Sequence, residues 1–173
     1  MPLLPEPAAA IRDATEADLP AIVAIYNATI PGGMVTADTT PVTVAERLSW
    51  FRAHTPKRRP IWVVVGPVGG VRAWFSFSDF HSRPAYHPTA EISIYVAESH
   101  RRRGLADLLL RRGIERAPAL GLKSLVGLVW AHNDASLRLC AKHGFERWGH
   151  LPRVALLYGI ERDLVIVGRR VAP

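Results

Sequence analysis

Apolar residues follow two rhythms along the chain. A helical rhythm runs through Leu19, Ile22, Val23, Ile25 and Tyr26, the spacing of one buried helix face. Thr15 precedes it as an N-cap, with Glu16 and Asp18 in the first turn, and Pro31-Gly32-Gly33 stops it. Thr43, followed three residues later by Glu46, forms a capping box for a second helix carrying Val44, Leu48 and Phe51. Dense runs rich in β-branched and aromatic residues then predict strands over 61–66 and 71–80, with "PVGG" between them as a hairpin turn. A short strand is expected at 10–14 and a strong one at 90–97. The helical rhythm returns over 103–119, where Leu105, Leu109, Leu110, Ile114 and Ala117 fall on one side and Gly121 ends the element. A buried strand at 123–131 follows. A short helix capped by Asn133 or Asp134 and ended by Gly144 comes next, and then one or two strands with a turn at Tyr158-Gly159.

Helices alternate with strands only in the second half. That order predicts an α/β chain with a mixed sheet flanked by helices, not a doubly wound parallel one. The length of 173 residues and a hydrophobic content of 49% suit a single domain, expected over 10–173, with residues 1–9 as a flexible lead-in. No apolar run approaches the roughly 18 residues of a membrane span, and the start lacks the basic and apolar regions of a signal peptide. Cys140 is the lone cysteine, which excludes an intrachain disulfide and a thiolate zinc cluster. The expected location is the cytoplasm.

Charge changes the picture at one place. The chain carries a formal net charge of +7, nearly all from arginine. In "HRRRGLADLLLRRG", starting at His100, three arginines meet Gly104 where a strand gives way to a helix. Free backbone N–H groups and the helix dipole favour an anion there. Gly104 lets backbone approach closely, and Ala106 is too small to block it. The chemistry suits a pyrophosphate, although the Gly-Lys-Ser/Thr of a P-loop and the Gly-x-Gly-x-x-Gly of a dinucleotide fold are both missing. Taken alone, the segment fits an ordinary charged turn equally well.

The surrounding sequence lifts it. "VAESHRRRGLADLLL" resembles the acetyl-CoA loop of the GCN5-related N-acetyltransferases (GNAT), in which Arg/Gln-x-x-Gly-x-Gly/Ala joins the fourth strand to the third helix. "WAHNDASLRLCAKHGF" is similar to that family's fifth strand, asparagine and Gly-Phe-ended helix. "IRDATEADLPAIVAIYNATI" and "RPAYHPTAEISIYV" resemble its phosphinothricin / methionine sulfoximine acetyltransferase branch. The likeness runs from residue 11 to about 171. It implies the GNAT fold, a mixed and mostly antiparallel sheet splayed between strands four and five. It also implies acetyl-CoA as co-substrate, a small amino-acid-like amine as acceptor, and a homodimer.

The resemblance assigns residues as well. The backbone of Ile94, Tyr95 and Val96 would hold the thioester and pantetheine arm. Arg101, Arg102, Arg103, Gly104, Leu105, Ala106 and Asp107 would hold the pyrophosphate. Asn133 would bond the arm, doubling as a helix cap, and Lys142 would stand near the cofactor. Glu91 matches the branch's catalytic glutamate, a base that frees the amine of its proton. Arg83 and Tyr86 match an Arg-x-Ala-Tyr acceptor segment, and an arginine suits a carboxylate or phosphinate. Met34, Val35 and Thr36 lie in the loop that contacts acceptor in the branch. The sequence departs from the pattern at Cys140, which stands where relatives place a Tyr or His donor, and His143 follows three positions later.

Other readings predict other patterns. A nucleic-acid surface would interleave aromatics with arginines, whereas Trp62, Trp74, Phe75 and Phe77 lie in strands with core-like spacing. A polyamine or aminoglycoside acceptor would favour an acidic pocket, and the acidic residues here are few and scattered; a protein N-terminus is a further amine, and a non-catalytic acetyl-CoA sensor a further role. The histidines form no H-x-x-x-H pair, so no metal is expected.

Overall fold

The computed structural model describes residues 10–173, so the expected 1–9 lead-in lies outside the described residues. The element order is β1 (Ala10–Asp13), α1 (Leu19–Asn27), α2 (Val44–Arg52), β2 (Ile61–Val65), β3 (Val71–Asp79), β4 (Thr89–Val96), α3 (Leu105–Arg116), β5 (Ser124–Trp130), α4 (Asp134–Lys142), β6 (Glu146–Leu157) and β7 (Ile160–Arg170). The strands form one seven-stranded sheet in the order β1-β2-β3-β4-β5-β7-β6. Among the described residues the single parallel pair is β4–β5, and every other pair is antiparallel. This is the mixed sheet that the element order predicts, and it is mostly antiparallel as the resemblance implies.

The two faces of the sheet carry separate cores. On one, Phe75, Phe77 and Ile92 pack against Leu105, Leu109 and Leu110 of α3. Gly113 lets α3 settle closely, because a Cβ there would come within 2.7 Å of the Phe75 ring. On the other face, Ile22, Ile25 and Tyr26 of α1 pack on Val63 and Trp74. All five apolar residues predicted for α1 are buried. The predicted face of α2 is not: none of its residues is fully buried, and Phe51 only leans on the second core. The helix is nonetheless well started, with Thr43 and Glu46 exchanging the predicted capping bonds.

Two boundaries move for local reasons. A 3-10 turn over Glu16–Asp18 separates Thr15 from α1, because Asp18 turns its carboxylate back to the Thr15 N–H and to Arg12. The predicted 103–119 helix is α-helical only over Leu105–Arg116 and finishes as a 3-10 turn, Ala117–Leu120, with Pro118 in its first turn. The chain beyond Gly144 forms two long strands with the turn at Tyr158-Gly159.

Candidate active site

The sheet opens at one place. β4 and β5 pair only through Thr89↔Ser124, Ala90↔Leu125 and Glu91↔Val126. Beyond Glu91, β4 stays paired to β3 as far as Val96, and β5 stays paired to β7 as far as Trp130. Two strand edges therefore diverge, and the β4 edge from Ile92 to Val96 presents backbone groups with no β5 partner. Such an edge accepts an extended chain carrying amide groups of its own.

The turn after β4 places a helix N-terminus at the end of that edge. Glu98–His100 form a 3-10 turn, and Arg102 and Gly104 then take left-handed backbone at φ 60° and φ 79°. Gly104 caps α3, and its carbonyl accepts the first helical bond, from the Leu108 N–H at 2.9 Å. The N–H groups of Leu105, Ala106 and Asp107 are left for an anion. A Cβ on Gly104 would meet nothing within 4 Å, so the space before the turn is open. Arg101, Arg102 and Arg103 are exposed around it.

Asp107 adds a negative charge that the anion would oppose. Lys142 at 2.5 Å and His143 at 2.9 Å both reach one of its oxygens from the end of α4. Lys142 first and His143 second hold the Asp107 carboxyl down at about 2. Lys142 thus acts through Asp107, tying the end of α4 to the start of α3. His143, predicted as a helix-end residue, sits at the C-cap of α4 with its ring turned to that carboxylate.

Glu91 stands at the fork itself, the last β4 residue paired to β5. It is half-buried, and no hydrogen bond or ion pair among the described residues reaches its carboxylate. Burial alone raises its pKa above the usual carboxylate range. Across the strand pair it faces Ser78, and two steps along the same face of β4 are Ser93 and then Tyr95. Glu91 therefore lies on the α1 side of the sheet, opposite α3.

A strap of chain crosses the fork on that side. Met34 and Val35 are exposed, whereas Thr36 is buried. Thr36 is held from the β4 side by the Tyr26 hydroxyl, 2.6 Å from its own, and from the β5 side by the Trp130 indole N–H, 3.4 Å from its carbonyl. Tyr26 in turn donates to Asp38 and packs its ring 5.2 Å from that of Tyr95. His132 meets the Gly33 carbonyl at 2.9 Å, and the Asn133 amide donates to the Met34 carbonyl at 2.7 Å. Asn133 also caps α4 by accepting from Ser136. The side chain expected to meet a cofactor arm thus fastens the strap, with one amide hydrogen to spare. Thr36 is a buried anchor, and Met34 and Val35 are the exposed members of the strap.

The loop 80–88 leads into β4. Its 3-10 turn, Pro84–Tyr86, follows Arg83, whose backbone N–H donates to His81. The Tyr86 ring packs on Phe80 and His81. The Arg83 guanidinium is exposed and has no partner among the described residues. Cys140 lies on the other side of the sheet, buried within the α3 core, and burial raises its thiol to about 11. A thiol held neutral to that pH is neither a nucleophile nor a ready acid at neutral pH.

Sequence reasoning missed the group that fastens the strap. Tyr26 reads as one more apolar position of α1, Trp130 as the end of a strand and His132 as the link to the next helix. Their polar ends meet residues 33–38 only in three dimensions, across separations of up to 99 positions.

The model of the acetyltransferase (GNAT) family matches residues 21–145. A Bacillus subtilis protein named "Putative phosphinothricin acetyltransferase YwnH" is 47% identical over 94% of this chain and 99% of its own length. The L-methionine sulfoximine/L-methionine sulfone acetyltransferase of Pseudomonas paraeruginosa is 37% identical over 95% of this chain and 96% of its own. The crystal structure of a GNAT superfamily phosphinothricin acetyltransferase from Sinorhizobium meliloti, in complex with acetyl-CoA, superposes with a TM-score of 0.90 at 29% identity, covering 95% of this chain and 89% of that one. With its forked sheet, its arginine turn and these relatives, the chain belongs to the GNAT family of acetyltransferases and is an N-acetyltransferase.

Proposed function

We propose that the enzyme uses acetyl-CoA to acetylate the amine of a small amino-acid-like acceptor, such as phosphinothricin, methionine sulfoximine or a related compound. The observation that carries this reading is Glu91, an unpartnered, half-buried carboxylate at the point where β4 leaves β5. An ammonium group is the natural partner for it, and a raised pKa makes it a better match to proton transfer near neutral pH. The open β4 edge and the α3 turn fit the amide-bearing arm and pyrophosphate of acetyl-CoA, and the names of the relatives support the acceptor class.

The chain's residues divide the chemistry. Glu91 takes the proton from the acceptor ammonium. Along Ile94, Tyr95 and Val96 the backbone alternates, Tyr95 turning to β3, so the N–H groups of Ile94 and Val96 are the ones that would face the thioester oxygen and arm, fixed dipoles where charge develops. The amine nitrogen forms its bond to the acetyl carbon as the carbon–sulfur bond breaks, and the thiolate leaves with its electron pair. Water protonates that thiolate, because Cys140 is held neutral and His143 is committed to Asp107. On the acceptor side, Arg83 offers a planar fork to a carboxylate or phosphinate, Tyr86 stands beside it, and Met34 and Val35 supply apolar contact.

The same reading makes the enzyme a cytoplasmic homodimer. Trp148, Leu151, Val154, Leu156 and Ile160 leave apolar surface exposed on the β6–β7 ladder, Leu156 to 70%. Light scattering on the purified protein should return twice the chain mass. The activity test is free-thiol release from acetyl-CoA against phosphinothricin, methionine sulfoximine, methionine sulfone, common amino acids, spermidine and an aminoglycoside. Turnover confined to the first three and their closest amino-acid kin supports the reading; turnover of spermidine or the aminoglycoside instead overturns it.

A further inference from the structure

The acceptor loop 80–88 is self-packed at its tip, and its base is held by a charge that the mechanism does not use. Arg59 precedes β2 and is only 4% exposed, a rare place for a guanidinium. It reaches two other segments and its own backbone at once. Its Nε comes 2.8 Å from Asp79, the last residue of β3, in an ion pair whose N–H is not aligned as a hydrogen bond. Nη2 donates to the His87 carbonyl at 2.9 Å, and Nη1 to the Arg58 carbonyl at 3.1 Å. Arg58 grips the same Asp79 carboxylate from outside, 3.0 Å from both oxygens.

These contacts join the two ends of one loop. Asp79 pairs with Ala90 across β3–β4, so it marks where the loop leaves the sheet. His87 directly follows Tyr86, and Pro88 accepts bonds from the Lys123 and Ser124 N–H groups at the start of β5. Glu91 lies three residues beyond. With Arg59 buried and Asp79 exposed, an ion pair of this kind adds little net stability, so its distinctive contribution is geometric definition. A planar guanidinium with several fixed donors can span three partners; an ammonium on a flexible stem cannot hold the same set at once.

We infer that Arg59 is a positioning residue for the acceptor side of the site, fixing where Arg83 and Tyr86 stand relative to Glu91. This rests on the acceptor reading given above. The test compares Arg59→Met and Arg59→Lys with the unaltered enzyme, varying acceptor at saturating acetyl-CoA and then the reverse. Arg59→Met is expected to raise the acceptor KM by about tenfold with a smaller change in kcat, and to leave the acetyl-CoA KM within twofold. Arg59→Lys should recover part of the loss, since it keeps a charge beside Asp79. Losses in acceptor and cofactor parameters that run in parallel, or unaltered kinetics in a folded variant, overturn the inference.

Hydrogen exchange without any substrate separates this inference from the acceptor reading. In Arg59→Lys the Tyr86 and His87 amides, now bonded to the Arg83 and Pro84 carbonyls, should exchange at least fivefold faster, while β2 and β3 keep their protection. If they do and no amino acid is turned over, the clamp stands and the acceptor class falls. Unchanged exchange at both amides removes the clamp whatever the acceptor is. Asp79→Asn provides the same reading from the other side of the ion pair where Arg59→Met does not fold.

Discussion

The two sides of the fork are built from different materials. The side proposed for acetyl-CoA is mostly backbone: the unpaired β4 edge, a left-handed turn at Arg102 and Gly104, and the first N–H groups of α3. The side proposed for the acceptor is mostly side chains: Glu91, the strap held by Tyr26, Trp130, His132 and Asn133, and the loop held by Arg59. A backbone site recognises what one cofactor always presents, namely amides and a pyrophosphate. A side-chain site changes its preference one residue at a time. On the proposed reading, that difference would let one sheet architecture take different amines while keeping one acyl donor.

The most severe way to test that division is at Glu91. Glu91→Gln should lower kcat by about a hundredfold or more at neutral pH, the usual range for losing a general base, with acetyl-CoA affinity nearly unchanged. Equal losses in both would make Glu91 structural and break the comparison. The pH dependence has a definite sign. Catalysis needs the carboxylate, and burial raises the Glu91 pKa, so kcat/KM should climb with pH through a step above the ordinary carboxylate range, and the step should vanish in the variant. Stability runs the other way. The folded protein holds that proton more tightly than the unfolded chain, so Glu91 costs stability as pH rises through the window between the two pKa values. Above that window, Glu91→Gln should melt higher than the native enzyme.

Two substitutions of middling effect probe the sides separately. Gly104→Ala puts a Cβ on a residue at φ 79°, at about 1–2 kcal/mol of backbone strain, and points it into open space before α3. The acetyl-CoA KM should rise about tenfold and the acceptor KM should hold. Gly104→Asn tolerates the left-handed turn better, so it should recover melting temperature without recovering acetyl-CoA affinity. Arg83→Lys should do the converse, raising acceptor KM by about tenfold, equivalent to ~1.4 kcal/mol, with the cofactor untouched. A cofactor effect from Arg83, or an acceptor effect from Gly104, would show that the two sides are not independent.

The contrast in materials also governs what could be read beforehand. The turn was legible because its signals are local: Gly104 in a strand-to-helix junction, the strong strand before it, the one-sided apolar face of α3; the fork was implied only by the family resemblance. The capping box at Thr43 and the turn at Tyr158-Gly159 were legible for the same reason. The acceptor side was legible only as candidate residues. Met34, Val35 and Thr36 look alike in a polar loop, yet Thr36 is buried because Tyr26 of α1 and Trp130 of β5 bond it from opposite sides. Asn133 reads correctly as a cap, while its amide's hold on Met34 depends on where the strap lies in space. The α2 face failed because an amphipathic pattern gives the direction of burial and not its depth. Here Trp50 and Phe51 lie along the margin of the second core.

The smallest expected effect falls at Cys140, which stands on neither side. The residue occupies the place of a proton donor in the resemblance, but it is packed in the α3 core, and burial holds its thiol at about 11. A donor that gives up its proton only at that pH is a poorer acid than an ordinary thiol, whose pKa is about 8.5. Proton transfer from Cys140 to the departing thiolate would therefore run uphill. Cys140→Ala should leave kcat within twofold while lowering stability by about 1 kcal/mol for the lost packing. Cys140→His, restoring the imidazole of relatives, would bring a larger and polar ring into that apolar packing and should lose stability without gaining rate. A tenfold fall in kcat for Cys140→Ala at an unchanged melting temperature would show a proton passing through the thiol. The chemistry would then reach from the acceptor face through the sheet to the α3 core, and the fork would have a third working surface.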